Sequence, residues 1–155
     1  MEKLKVAVIG AGHLGHYHAK IYAVLGNVQL VSVCDTNKRR AKKIARHCNT
    51  QFCTDYKQLY GKISAASIAV PTQLHYQIAK DLLSNNIHCL IEKPITNELK
   101  QAEELVKLAD KNHLILQVGH IERFNAAMKA VEPLCSNPRF IECHRMGPFK
   151  KRALD

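Results

Sequence analysis

The stretch Val6-Ala7-Val8-Ile9-Gly10-Ala11-Gly12-His13-Leu14-Gly15 decides the fold. Its four leading apolar residues, without polar alternation, read as a strand covered on both faces. Glycine then recurs at Gly10, Gly12 and Gly15, and Leu14–Leu25 carries a helical pattern. A strand, a glycine turn and a helix in this order make a cradle for phosphate. Gly10 permits the tight turn, Gly12 lets a pyrophosphate approach the backbone, and Gly15 lets the helix pack closely on the sheet. His13 and Leu14 fall inside the cradle, where unpaired N–H groups at the helix start face the anion.

Such a cradle calls for an acidic residue about 20 positions on, to hold a ribose. Asp35 stands there, at the end of Val31-Ser32-Val33-Cys34-Asp35. Its carboxylate accepts from ribose hydroxyls and repels a 2′-phosphate, which favours NAD over NADP. Arg39 and Arg40 weigh the other way, since a nearby arginine accommodates that phosphate. In this context the glycine string implies dinucleotide binding.

The alternation continues along the chain. Lys5–Ile9, Gln29–Cys34, Ser64–Val70, His88–Ile91 and Leu114–Val118 read as short buried strands. Leu14–Leu25, Lys38–His47, Leu74–Ser84 and Glu98–Asp110 read as the helices between them. In the last, Leu99, Ala102, Leu105, Val106 and Ala109 recur on one side, with Thr96 or Asn97 as the expected cap. Strand–helix repetition implies a parallel sheet with right-handed crossovers, here an α/β, Rossmann-type doubly wound sheet over 1–119. After Gly119 the pattern changes. His120–Val131 reads as a helix and Arg139–Met146 as a strand of mixed polarity, so 120–155 reads as the beginning of a second α/β domain, incomplete at Asp155.

Of the 155 residues, 46% are hydrophobic and 23% charged, as in a soluble globular protein. No apolar run approaches the ~20 residues of a membrane helix, and the N-terminus has no signal-peptide layout; a cytoplasmic protein is expected. The six cysteines are scattered without a Cys-x-x-Cys pair, so reduced thiols are expected. A net charge of +10 suits an anionic cofactor or substrate as well as nucleic acid. Lys38, Arg39, Arg40, Lys42, Lys43 and Arg46 also read as a solvated helix face. No helix-turn-helix or RNP motif is present, Trp is absent and aromatics reach only 6%, which argues against nucleic acid as partner. His13, His16 and His18 do not share one helix face, and no metal site is expected.

Glu92-Lys93-Pro94 follows the strand His88–Ile91, at the carboxyl edge of the sheet where ligands bind in this architecture. A lysine there can donate to a substrate hydroxyl or take its proton; a surface lysine beside a structural proline is the alternative.

Gly10–Gly15, Pro71-Thr72 with His75, and Glu92-Lys93-Pro94, in this order, resemble the Gfo/Idh/MocA oxidoreductases over essentially the whole chain. The resemblance implies that Lys93 is catalytic and that Glu92 lies near the nicotinamide ribose. Ala69, Val70, Pro71, Thr72 and His75 would line the nicotinamide half of NAD. With Gly10, Gly12, His13, Leu14, Gly15, Asp35, Arg40 and Lys93, these make up the expected cofactor site. Val118-Gly119-His120-Ile121-Glu122-Arg123-Phe124-Asn125, with Arg139-Phe140-Ile141-Glu142, is similar to the branch that oxidises the 3-hydroxyl of UDP-N-acetylglucosamine. That implies Arg123 and Asn125 as substrate-binding residues, a structural arginine being the alternative. Ala126 stands where the branch usually has proline. In the family a second domain covers the sugar, commonly forms the oligomer interface and supplies a histidine that works with the lysine. The chain is expected to stop before that histidine and to be inactive alone, the complete protein being a homo-oligomeric sugar dehydrogenase. A short non-catalytic NAD-binding or sensing module is the alternative.

Overall fold

In the computed structural model, which describes residues 2–135, 137–144 and 146–147, the apolar runs become six parallel strands joined by helices. They are β1 (Leu4–Ile9), α1 (His13–Val24), β2 (Val28–Cys34), α2 (Lys38–His47), β3 (Gln51–Cys53), β4 (Ala65–Ile68), α3 (His75–Ser84), β5 (His88–Ile91), α4 (Leu99–Lys111) and β6 (Leu116–Val118). The sheet order is β3-β2-β1-β4-β5-β6, and every neighbouring pair is parallel. Strand order reverses between β1 and β4. That switch point opens a crevice outside the carboxyl ends of the strands, where this architecture takes its ligands.

Unbroken apolar runs are needed because each strand is covered twice. Val8 and Val33 face one way and pack with Ala19, Ile44 and Ala45 of α1 and α2. Ala7, Ile9, Ile68 and Ile91 face the other way and pack with Ile78, Leu82, Leu83 and Leu105 of α3 and α4. Alternate residues of one strand thus serve two cores, which makes the sheet doubly wound. At the opposite, amino edge the chain leaves three helices through left-handed residues: Asn49 (φ 48°), Asn86 (φ 58°) and His113 (φ 53°) directly follow the C-caps of α2, α3 and α4.

Three local expectations change. The edge strand β3 is an addition: three residues, Gln51-Phe52-Cys53, pair with Ser32-Val33-Cys34 of β2 without any apolar run to announce them. The expected strand Ser64–Val70 contracts to Ala65–Ile68. Neither Thr96 nor Asn97 caps α4; Glu98 occupies the cap position without a side-chain bond. The buried Thr96 hydroxyl instead donates to the Glu98 carbonyl at 2.8 Å, which turns it to the chain before the helix.

The chain divides into two units, Met1–Gly119 and His120–Asp155. The second unit opens with a 3₁₀ turn, Ile121–Phe124, followed by α5 (Ala126–Val131) and a further 3₁₀ turn at Glu132–Cys135. One continuous helix over His120–Val131 does not form, because Asn125 takes an extended conformation (ψ 128°) and caps α5, its side chain accepting from Ala127 N–H at 2.9 Å. Ala126 therefore stands at the first helical position, the one proline favours, and the turn forms with alanine in its place. The expected strand Arg139–Met146 is absent among its described residues; Arg145 lies outside them. A strand exists by pairing, and no described residue of this stretch has a ladder partner.

The fully buried Leu82 of α3 sits at the centre of the larger core. Leu82→Ala is expected to lower unfolding free energy by about 2–5 kcal/mol, read by urea denaturation of the chain. Val24→Ala, at a position 81% exposed, is expected to change it by less than about 0.5 kcal/mol.

Candidate active site at the carboxyl edge of the sheet

The glycine turn has the geometry of a phosphate cradle. Gly10 lies at φ 98°, and a Cβ there would stand 2.3 Å from the Ala69 carbonyl oxygen. A Cβ on Gly15 would stand 1.8 Å from the Gly10 carbonyl oxygen, so α1 reaches this close to β1 only because Gly15 has no side chain. Around Gly12 the space is open, with nothing within 4 Å of where its Cβ would be. Gly12 is also the N-cap of α1, with no side-chain cap bond and no acidic residue in the first turn. The first N–H groups of the helix are left for an anion, as a dinucleotide pyrophosphate requires. His13 and Leu14 are exposed in that first turn.

Asp35 closes the cradle from the side. Its Oδ2 accepts from Ala11 N–H at 2.7 Å and its Oδ1 from Asn37 N–H at 2.7 Å. Each carboxylate oxygen keeps a lone-pair direction for a ribose hydroxyl. Asn37 caps α2 by accepting from Arg39 N–H and Arg40 N–H, so the start of the basic helix is set against Asp35. Arg40 is exposed in the first turn of α2.

Two further loops leave the same edge. Ala69 and Val70 follow β4 and are half-buried, Pro71 is exposed, and Thr72 is buried. His75, only 1% exposed, ties this loop to the one after β5: its Nε2 lies 2.9 Å from the Val70 carbonyl and its Nδ1 2.9 Å from the Pro94 carbonyl. A neutral ring donates to one of these carbonyls at a time; a doubly protonated ring donates to both. His75 thus fixes the loop that the sequence assigns to the cofactor. Lys93 and Pro94, joined by a cis peptide bond, are exposed at the end of β5.

Glu92 is 7% exposed and turns inward. Its Oε1 lies 2.9 Å from His18 Nε2, and its Oε2 accepts from Lys93 N–H at 3.3 Å. The Gly119 α-carbon packs on its carboxylate, where a Cβ would stand 3.2 Å from Oε1. His18 Nδ1 lies 3.1 Å from the fully buried Ser67 Oγ, which in turn meets the Tyr22 hydroxyl at 2.7 Å. With Nε2–H donating to a Glu92 carboxylate, Nδ1 accepts from Ser67 and Ser67 accepts from Tyr22, so the chain of bonds has one direction. In the sequence His18 is one of three histidines near the start of α1, with no motif of its own. The available signal was its place among Gly15, Ala19 and Tyr22 on one stripe of α1, where a buried polar group needs a partner.

Arg123 and Asn125 lie in the second unit, exposed. The Asn125 amide donates to Glu122 at 2.8 Å while its oxygen caps α5, a structural use of the whole side chain.

Residues 4–120 match the family of oxidoreductases with an NAD-binding Rossmann fold. The chain belongs to the Gfo/Idh/MocA oxidoreductases. It is 36% identical over 156 residues to a UDP-N-acetylglucosamine 3-dehydrogenase of Acidithiobacillus ferrooxidans, matching 100% of this chain and 49% of that relative. A solved structure of that enzyme superposes with a TM-score of 0.91, covering 100% of this chain and 51% of the other. A scyllo-inositol 2-dehydrogenase (NAD(+)) of Bacillus subtilis is 31% identical over 129 residues, 81% of this chain and 38% of the relative. The chain spans about half, or less, of the length of these relatives. Six parallel strands and the cradle just described are the NAD-binding Rossmann domain of this Gfo/Idh/MocA protein.

His18 and Glu92 are both largely buried, their side chains 16% and 9% exposed. A double-mutant cycle with His18→Ala and Glu92→Gln, read by urea denaturation, is expected to give a coupling of about 1–3 kcal/mol. A coupling near zero would show the pair to be a contact without energetic consequence.

Proposed function

We propose that the protein containing this chain is a cytoplasmic, homo-oligomeric dehydrogenase that oxidises a sugar hydroxyl with NAD, the 3-hydroxyl of a UDP-amino sugar being the favoured substrate. The observation that carries the cofactor half is the bond between Asp35 Oδ2 and Ala11 N–H. It holds a carboxylate at the mouth of a glycine cradle whose helix N-terminus is uncapped. A carboxylate there suits two free ribose hydroxyls and opposes a 2′-phosphate. The sugar half is supported by the 36% identity to the Acidithiobacillus ferrooxidans enzyme, whose name gives its substrate. Unpaired cysteines, Cys34 and Cys89 buried among them, accord with a reducing compartment.

In this reading Gly10, Gly12, His13, Leu14 and Gly15 hold the pyrophosphate, with Asp35 and Arg40 on the adenosine side. Ala69, Val70, Pro71, Thr72, His75, Glu92 and Lys93 flank the nicotinamide side. Bound NAD supplies the hydride acceptor. The Lys93 side chain, without a bonded partner among the described residues, reaches the substrate hydroxyl and, as the neutral amine, receives its proton at Nζ as the carbonyl forms. Glu92 anchors the Lys93 backbone from beneath rather than meeting the sugar. Arg123 and Asn125 are the substrate-side candidates of the second unit.

Titration of the chain with NADH and NADPH, followed by nicotinamide fluorescence, is expected to show NADH binding at least about tenfold tighter. Asp35→Ala is expected to remove most of that preference; equal affinities in the parent chain would overturn the assignment of Asp35. In a protein that carries this chain together with the second domain of its relatives, NADH formation from UDP-N-acetylglucosamine is expected. Lys93→Ala should lower its kcat by at least about a hundredfold with NAD binding retained. Unchanged turnover would sink the role of Lys93.

A further inference from the structure

One pair of side chains beside the cradle has no part in that chemistry. Cys34 ends β2 and Cys53 ends β3, and the two residues are directly paired across the parallel ladder. Both belong to the same face of the sheet, Cys34 buried and Cys53 half-buried against the larger core. Paired residues on neighbouring strands stand about 4.8 Å apart, within the Cα separation that disulfides span. The Ser32 hydroxyl donates to the Cys53 sulfur at 3.7 Å, and the two thiols interact directly.

The Ser32 bond and its greater exposure make Cys53 the attacking sulfur of the two. Donation from Cys34, helped by Ser32, lowers the Cys53 thiol to about 7 against the opposing effect of burial and of the Asp55 charge. Cys34 moves upward, chiefly because its proton is held by Cys53, then through burial and the Asp55 and Asp35 charges. Of the two, the half-buried Cys53 is therefore the readier to ionise.

The pair also touches the residue that carries the cofactor assignment. Asp35 follows Cys34 directly, and its N–H donates to the Cys53 carbonyl at 3.2 Å. Its carboxylate holds Ala11 and the cap of α2. We propose that Cys53 and Cys34 form a dithiol site oxidised by peroxide, and that the resulting disulfide weakens dinucleotide binding by displacing Asp35. The second clause rests on the reading of Asp35 as the ribose ligand.

The chemistry balances in two steps. Cys53 thiolate attacks hydrogen peroxide; an S–O bond forms, the O–O bond breaks, and hydroxide leaves as water after taking a proton. Cys34 then loses its proton and attacks the sulfenic sulfur; the S–S bond forms, the S–O bond breaks, and a second water leaves. Two thiols lose two electrons and the peroxide gains them. A disulfide draws Cβ atoms to about 3.5–4.5 Å, closer than strand spacing provides. The three-residue edge strand β3 gives way, and with it the main chain at Asp35.

The reduced 155-residue chain serves for the test, with alkylation, peptide mapping and NADH fluorescence as readouts. Iodoacetamide labelling of Cys53 is expected to rise with a midpoint near pH 7, below that of a free cysteine peptide measured alongside. Hydrogen peroxide is expected to join the Cys34 and Cys53 peptides with loss of two hydrogens, reversibly with dithiothreitol. NADH affinity should then fall about tenfold or more. Cys53→Ser should keep its affinity under peroxide, and Cys34→Ser should stop at a sulfenic acid trapped by dimedone. A Cys53 midpoint at or above that of the free cysteine peptide, or peroxide linkage of other cysteines, overturns the dithiol site. Unchanged NADH affinity in protein with the mapped Cys34–Cys53 bond overturns the regulation. Failure of the reduced chain to bind NADH overturns the regulation together with the dinucleotide reading, while the peptide map still decides the dithiol site.

Discussion

Where β1 becomes α1, two stretches of backbone approach so closely that a methyl group at Gly15 would lie 1.8 Å from the Gly10 carbonyl oxygen. That approach sets the first turn of α1 directly over the end of β1. The helix N–H groups then converge on the open space beside Gly12 instead of being buried against the sheet. Gly10 is itself clamped, since its missing Cβ would meet the Ala69 carbonyl at 2.3 Å. Two absent side chains therefore position three things: the cradle, the phosphate helix and the loop after β4. Asp35 adds the fourth by binding Ala11 across the strand ends.

The polar chain from Tyr22 through Ser67 and His18 to Glu92 links these parts from below. It begins on the helix that faces the phosphates, crosses β4 and ends at the carboxylate that holds the Lys93 backbone. Buried groups of this kind are costly when unmatched and specify one arrangement when every member is satisfied. No buried side-chain nitrogen or oxygen among the described residues lacks a partner. The lysine loop is thereby held to the phosphate helix by directional bonds as well as by packing, which apolar contact alone does not achieve.

Most of the fold was legible because its signals are physical necessities. Strands buried on both faces must be apolar throughout, and the cradle needs glycine at Gly10 and Gly15 for steric reasons visible in the coordinates. Asp35 was legible from distance along the chain alone. What escaped was set by partners remote in sequence. Gln51-Phe52-Cys53 forms a strand only because β2 offers it a ladder, and His18 has its place because Ser67 and Glu92 reach it from β4 and the end of β5. Asn125, named by the family resemblance, also does locally what asparagine does at many helix starts, which its place before Ala126 did not by itself announce. Arg139–Met146 has strand-like composition, yet none of its described residues joins a ladder, and pairing decides over propensity.

The three left-handed helix exits at Asn49, Asn86 and His113 all lie at the edge of the sheet away from the cradle. Every turn there returns a helix to a strand, whereas the glycine loop, Asp35, His75 and Lys93 crowd the other rim. The molecule is polarised along its strands, one end shaped by chemistry and the other by chain reversal alone. A fluorophore, an affinity handle or an inserted peptide grafted at the reversing end would stand a full strand length from the cofactor. An insertion at one of those turns leaves the cofactor rim in place so long as the chain comes back into register.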